Sequence, residues 1–239
     1  MKRAITVGAA MALLQVMASA LADEAQIRKV MEEKLGGVKI EGVQPAPLGL
    51  YEVRFRSSSG GMRVVYTDAN ATHIFVGKIY DTQNDRDVTE ERLRKLNAIK
   101  FESLPFDQAV KVQRGNGKRV MAMFSDPYCP ACKQFEQTLQ QIDDITIYVF
   151  MFPVIRPELA EQSKAVWCSP DRAKAWLDVA LRGKPPAAKA NCANPVEKNL
   201  ELGRSLGVNS TPTLVLANGE RITGGLSRAD LTELLESKR

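Results

Sequence analysis

Along this 239-residue chain the apolar and polar positions fall into four regimes. The first is an apolar run from Ala4 to Met17, behind Met1-Lys2-Arg3 and ahead of Ala18-Ser19-Ala20-Leu21-Ala22. This layout predicts a secretory signal peptide over residues 1–22, cleaved after Ala22, because the run falls short of the ~20 residues that cross a bilayer. No later segment is long enough to span one, so the mature chain is expected to be soluble.

Residues 23–84 begin at helical spacing, with Ile27, Val30, Met31 and Leu35 ahead of Gly36-Gly37. They then turn strand-like over Val38 to Val43, Leu50 to Phe55, Met62 to Thr67 and Thr72 to Tyr80, with Pro, Gly, Ser, Asp and Asn clusters between. A small antiparallel sheet beside one helix is predicted. Some sixty residues without a cysteine make a modest core, a deficit that a dimer would relieve. In residues 85–100, Val88, Leu93 and Leu96 stand among many charges, with Thr89 as cap ahead of Glu91. That pattern predicts an exposed linker helix.

From 101 to 239 the periods alternate. A strand at Arg119 to Ser125 is followed by a helix from Cys129 to Ile142, a strand from Ile145 to Phe152, and helices at Pro157 to Val166, Asp171 to Leu181 and Pro195 to Leu206. Thr213 to Ala217 and Arg221 to Thr223 flank Asn218-Gly219, a hairpin signal because both positions accept positive φ. A last helix starts at Ser227, with Asp230 three residues on. The pattern is that of a mixed α/β domain with a helical insertion at about 155–195. Composition alters little: 44% of residues are apolar, and losing Lys2 and Arg3 leaves 31 basic against 28 acidic residues, so +5 becomes +3. With no Lys/Arg run interleaved with aromatics, no nucleic-acid partner is expected.

The chemistry lies in the cysteines, all four in the second half. Cys129-Pro130-Ala131-Cys132 follows an apolar strand and opens a helix whose buried face is predicted as Phe135, Leu139 and Ile142. At a helix start, unpaired N–H groups and the dipole favour a thiolate, which makes Cys129 the nucleophile. Cys132, nearly a turn along and shielded, is the resolving thiol. A zinc site would need two more ligands, but Cys168 and Cys192 are not a close pair and the single histidine, His73, lies in the first half, so no metal and no cofactor are expected. For Cys168 and Cys192 a structural bridge and a second exchange pair are the two readings, and the lack of CxxC spacing favours the first. Thr211-Pro212-Thr213 introduces a strand; a cis bond there would aim the Thr211 backbone at an extended client, although local sequence alone favours an ordinary trans proline.

Phe124-Ser125-Asp126-Pro127-Tyr128-Cys129-Pro130-Ala131-Cys132-Lys133, Gly207-Val208-Asn209-Ser210-Thr211-Pro212-Thr213 and Ala217-Asn218-Gly219 together resemble the DsbC/DsbG family of periplasmic disulfide isomerases. The resemblance covers nearly the whole mature chain. It implies a cystatin-like α+β dimerisation domain joined by a linker helix to a thioredoxin-like α/β domain with a helical insertion and a second cysteine pair. It further implies a periplasmic homodimer that reshuffles wrong disulfides in misfolded exported proteins, binds them as a chaperone does, and is kept reduced by a DsbD-like membrane reductase. Cys129 and Cys132 inherit the nucleophilic and resolving roles, and Pro212 the cis-proline position beside Thr211. Pro130-Ala131 departs from the Gly-Tyr of the isomerase branch, and Lys133 stands where that branch has histidine. Those positions tune the redox potential, so a DsbG-like reductase of narrow clients or sulfenylated cysteines, an oxidase, and a chaperone with secondary redox activity stay open beside the isomerase.

Overall fold

The computed structural model describes residues 24–58 and 60–237, so the signal-peptide reading of residues 1–22 lies outside the described residues. Contacts divide the chain into two units, residues 1–96 and 97–239.

In the first unit a helix, α1, over residues 24–34 places Ile27 and Met31 on one face. They pack on the alternating residues of an antiparallel sheet ordered β1 (Ile40–Pro45), β2 (Tyr51–Arg56), β3 (Met62–Thr67) and β4 (Ile74–Phe75). Ile40, Val43, Val53 and Val65 complete this small core. The strand expected over Thr72 to Tyr80 is shorter than its composition implies. Asp68 collects the backbone N–H groups of Asn70, Thr72 and His73, which holds the chain in a turn until Ile74. Beyond β4 the chain forms a separate hairpin of β5 (Tyr80–Asp81) and β6 (Arg86–Asp87).

The helix α2 (Val88–Leu96) keeps Glu90, Arg94 and Lys95 exposed, as its charges predict, but is docked through its first turns. Thr89 is buried, shares a 2.6 Å hydrogen bond with the Tyr66 hydroxyl and accepts one from the Ile79 N–H, while Arg92 Nε reaches the buried Glu52 carboxylate at 3.1 Å. Since a buried hydroxyl must be paired, Thr89 serves the packing. The cap is Asp87, which accepts from the Glu90 N–H at 2.7 Å.

The second unit is built on a five-stranded sheet in the order β11 (Arg221–Thr223), β10 (Thr213–Leu216), β8 (Arg119–Ser125), β9 (Ile145–Met151), β7 (Val110–Arg114). Only β8 and β9 run parallel. Side chains alternate across a strand, so each central strand feeds two cores. Met121, Met123, Val149, Met151, Leu214 and Leu216 enter one, with α3 (Pro130–Leu139), α4 (Ala160–Trp167), α5 (Arg172–Arg182) and α7 (Arg228–Ser237) contributing to it. Ala122, Phe124, Phe150, Phe152 and Val215 enter the other, closed by Phe101, Leu104 and α6 (Val196–Ser205). Gly219 turns the β10–β11 hairpin at φ +84, and a Cβ there would stand 2.6 Å from the Ile99 carbonyl oxygen. At α7, Ser227 Oγ accepts from the Asp230 N–H.

Two elements depart from expectation. β7 is a strand that Lys111, Gln113 and Arg114 obscure, although Val110 and Val112 alternate as a half-buried strand requires. The helix α3 ends at Leu139 rather than Ile142: Ile142 N bonds the Leu139 carbonyl in a turn, which also accepts from Arg114 Nη1, and Ile142 stays in the core.

Candidate active site

The site forms where β8 ends. After Ser125 the chain turns sharply: the Asp126 carbonyl accepts from the Cys129 N–H at 3.1 Å, and Asp126 Oδ1 accepts from the Tyr128 N–H at 2.8 Å. Cys129 is left as the N-cap of α3, with extended backbone, and Pro130 fills the first helical position, where its missing N–H costs nothing. The strand β10 lies beside β8 with Thr213 opposite Phe124, which brings the preceding Thr211–Pro212 segment to the same end of the sheet. The Thr211–Pro212 peptide is cis, correcting the local expectation of trans. Cys129 Sγ donates to the Thr211 carbonyl at 3.4 Å. Cys129, Cys132, Thr211 and Pro212 are therefore gathered at one place.

The two thiols, both free, are not equivalent. Cys129 retains 5% exposure at the opening of the helix and Cys132 only 1%. Burial pushes the Cys132 thiol up to about 12, and the neighbouring Cys129 adds to this. The Ser125 hydroxyl, the Asp126 backbone and the Thr211 hydroxyl work in the opposite direction and are outweighed. Cys132 thus stays a neutral thiol at physiological pH, while Cys129 faces the free N–H groups of the first helical turn.

Three residues that the sequence reading left without a role hold this arrangement. Asp126 is fully buried, and its second carboxylate oxygen accepts from the Ile155 N–H at 2.8 Å, so one side chain fixes both the CxxC approach and the loop after β9. Tyr128 donates to Gln162 of α4. Glu136 of α3 is buried and accepts from Trp176 Nε1 of α5 at 2.7 Å. Its carboxyl group is pushed up to about 7 by burial, against the Trp176 hydrogen bond and the Arg114 charge. Helices α4 and α5 thereby brace α3 and the turn before it at two points. Lys133 Nζ lies 5.8 Å from the centre of the Tyr128 ring.

Cys168, at the C-cap of α4, is bonded to Cys192 in the segment before α6, with Cα atoms 5.7 Å apart. Among the described residues no cluster of His, Cys, Asp and Glu is placed to hold a metal, and no helix is long and apolar enough to cross a membrane.

Residues 106–239 match the family described as a thioredoxin-like domain, and residues 18–90 the family described as the disulfide bond isomerase protein N-terminal domain. The probable thiol:disulfide interchange protein DsbC of Bordetella pertussis is 40% identical over 216 residues, covering 89% of this chain and 75% of that protein. The thiol:disulfide interchange protein DsbC of Escherichia coli K12 is 28% identical over 224 residues, covering 91% and 89%. A crystal structure of a disulfide interchange protein from Neisseria gonorrhoeae is 42% identical, with a TM-score of 0.54, and covers 56% of this chain and 97% of that one.

Proposed function

The chain belongs to the DsbC family of thiol:disulfide interchange proteins, and from that premise we propose that it is a periplasmic disulfide isomerase whose nucleophile is Cys129. The observation that carries the assignment of roles is the asymmetry of the two sulfurs: one at the mouth of a helix N-terminus, the other buried behind it as a neutral thiol. Cys129 as thiolate attacks a client disulfide, forming a mixed disulfide and releasing one client sulfur as a thiolate. Another client thiolate then displaces Cys129 and leaves a rearranged client, or Cys132 displaces the client sulfur and closes the Cys129–Cys132 bond. Thr211 and Pro212 present backbone to an extended client segment beside the reacting sulfur.

The first unit supports a homodimer. Its strand β4 is an edge, paired only with β3, and Ile74, Phe75 and Val76 on and beyond it are exposed. An apolar edge of this kind is a template for a second copy of the same strand. Two redox pairs in one assembly suit misfolded clients larger than either, and a DsbD-like membrane reductase would return Cys129–Cys132 to the dithiol. The segment 1–22 supports export to the periplasm.

The test is recovery of activity from scrambled ribonuclease by the mature chain and by Cys129→Ala. The parent should recover it and Cys129→Ala should not. Reduction of small disulfides without recovery would favour a DsbG-like reductase of narrow clients. Suppression of client aggregation as the only activity, undiminished in Cys129→Ala, would favour a chaperone-type binding protein.

A further inference from the structure

Glu136 sits on the redox helix, and the exchange steps above do not use it. A carboxyl group 2% exposed is costly to ionise. Its hydrogen bond from Trp176 favours the charged form. The charged group that faces it from β7 is Arg114, faced in turn by Asp143; on α5, Lys174 and Arg182 pair with Asp178, and Arg172 lies over the Trp167 ring.

Position gives this buried charge a target. Cys132 and Glu136 are four residues apart, so their side chains stand one above the other on one face of α3, ~6 Å apart at Cβ. Cys129 lies seven residues away, ~10 Å along the axis. Water is excluded from Cys132 and Glu136 alike, so a carboxylate at 136 opposes a developing thiolate on Cys132 much more than one on Cys129.

We propose that Glu136 is a positioning residue that brakes the resolving step, acting through Cys132 to prolong the mixed disulfide. In that step Cys132 loses its proton by way of the opening at Cys129, the edge of the pair that solvent reaches, and its sulfur bonds to Cys129 Sγ. The Cys129–client bond breaks, and the client sulfur leaves with the electron pair as a thiolate. The slower this step, the longer a client thiol has to rearrange, so the purpose of the brake rests on the isomerase reading while its mechanism does not. Because burial moves the Glu136 carboxyl to about 7, the brake is off below neutrality and on above it.

Stopped-flow reaction of the reduced mature protein with oxidised glutathione separates attack by Cys129, which depends on glutathione concentration, from resolution by Cys132, which does not. Glu136→Gln should resolve about threefold faster than the parent at pH 8.5, since about one unit in the proton affinity of Cys132 raises its thiolate fraction about tenfold while its nucleophilicity falls about threefold, and equally fast at pH 6, with attack unchanged. The parent's plot of log rate against pH should carry a shoulder near neutrality that Glu136→Gln lacks. Trp176→Phe, which loses the hydrogen bond favouring the carboxylate, should move the shoulder to higher pH. Equal or slower resolution at pH 8.5, or attack and resolution changing together, overturns the brake. If Glu136→Gln does not fold, an unmoved shoulder in Trp176→Phe overturns it. Faster resolution in Glu136→Gln beside a parent that cannot recover scrambled ribonuclease upholds the brake and removes the isomerase reading.

Discussion

Asp126 concentrates more structure than any other residue near the sulfurs. Two N–H groups, of Tyr128 and Ile155, end on its buried carboxylate. Asp126→Ala leaves both without a partner, each at about 1–3 kcal/mol, whereas Asp126→Asn keeps one acceptor oxygen. Urea midpoints should fall in the order parent, Asn, Ala, and turnover of a small disulfide should fall in both variants because the turn aims Cys129. A variant that loses stability at an unchanged exchange rate would show that the turn supports the fold alone. The CxxC pair was legible because its logic is local: strand, turn, helix start and spacing lie within a dozen residues. Asp126 was not, since its partner Ile155 lies 29 residues on. Glu136 reads as a surface residue of an amphipathic helix until α5 is laid over it.

At the scale of elements, strong periodicity carried the reading and weak periodicity lost it. The strands β8 and β9 and the helices after them are marked by long apolar runs or by caps. β7 offers two valines among charged and polar neighbours, and only pairing with β9 makes it a strand. The helix α2 is legible as a helix but its docking is not, because Glu52 and Tyr66, which hold it, lie in strands far back in sequence. The insertion raises a further expectation. The Cys168–Cys192 bridge closes a separation of 24 residues around α5, and a loop of this size is worth about 3 to 4 kcal/mol in the chain-entropy account. The Cys168→Ala/Cys192→Ala chain should lose about that much in chemical denaturation. Since α4 and α5 carry Gln162 and Trp176, its CxxC exchange rate should fall too. A rate unchanged after the loss of stability would show that the braces through Tyr128 and Glu136 hold without the bridge.

For the whole molecule, the two units have separate cores, one small and one built on both faces of a sheet. A core as small as the first is marginal alone, and the edge-to-edge partner proposed above would relieve it. Phe75→Asp, placing charge on that edge, should sediment as a monomer, reduce small disulfides at the parent's rate and lose most recovery of scrambled ribonuclease. A monomer that still recovers the enzyme would separate isomerisation from assembly. The division into a small sheet unit and a thioredoxin-like unit was readable from the change of period near residue 100; the identity of the free edge was not, because it depends on where Asp68 lets pairing begin.

All five methionines of the described residues, Met31, Met62, Met121, Met123 and Met151, are buried, three of them in the core beneath the redox helix. Peroxide oxidises thioethers that it can reach. Sulfoxide formation at these five positions therefore counts the chains that have opened, and their oxidation and unfolding run on a single clock.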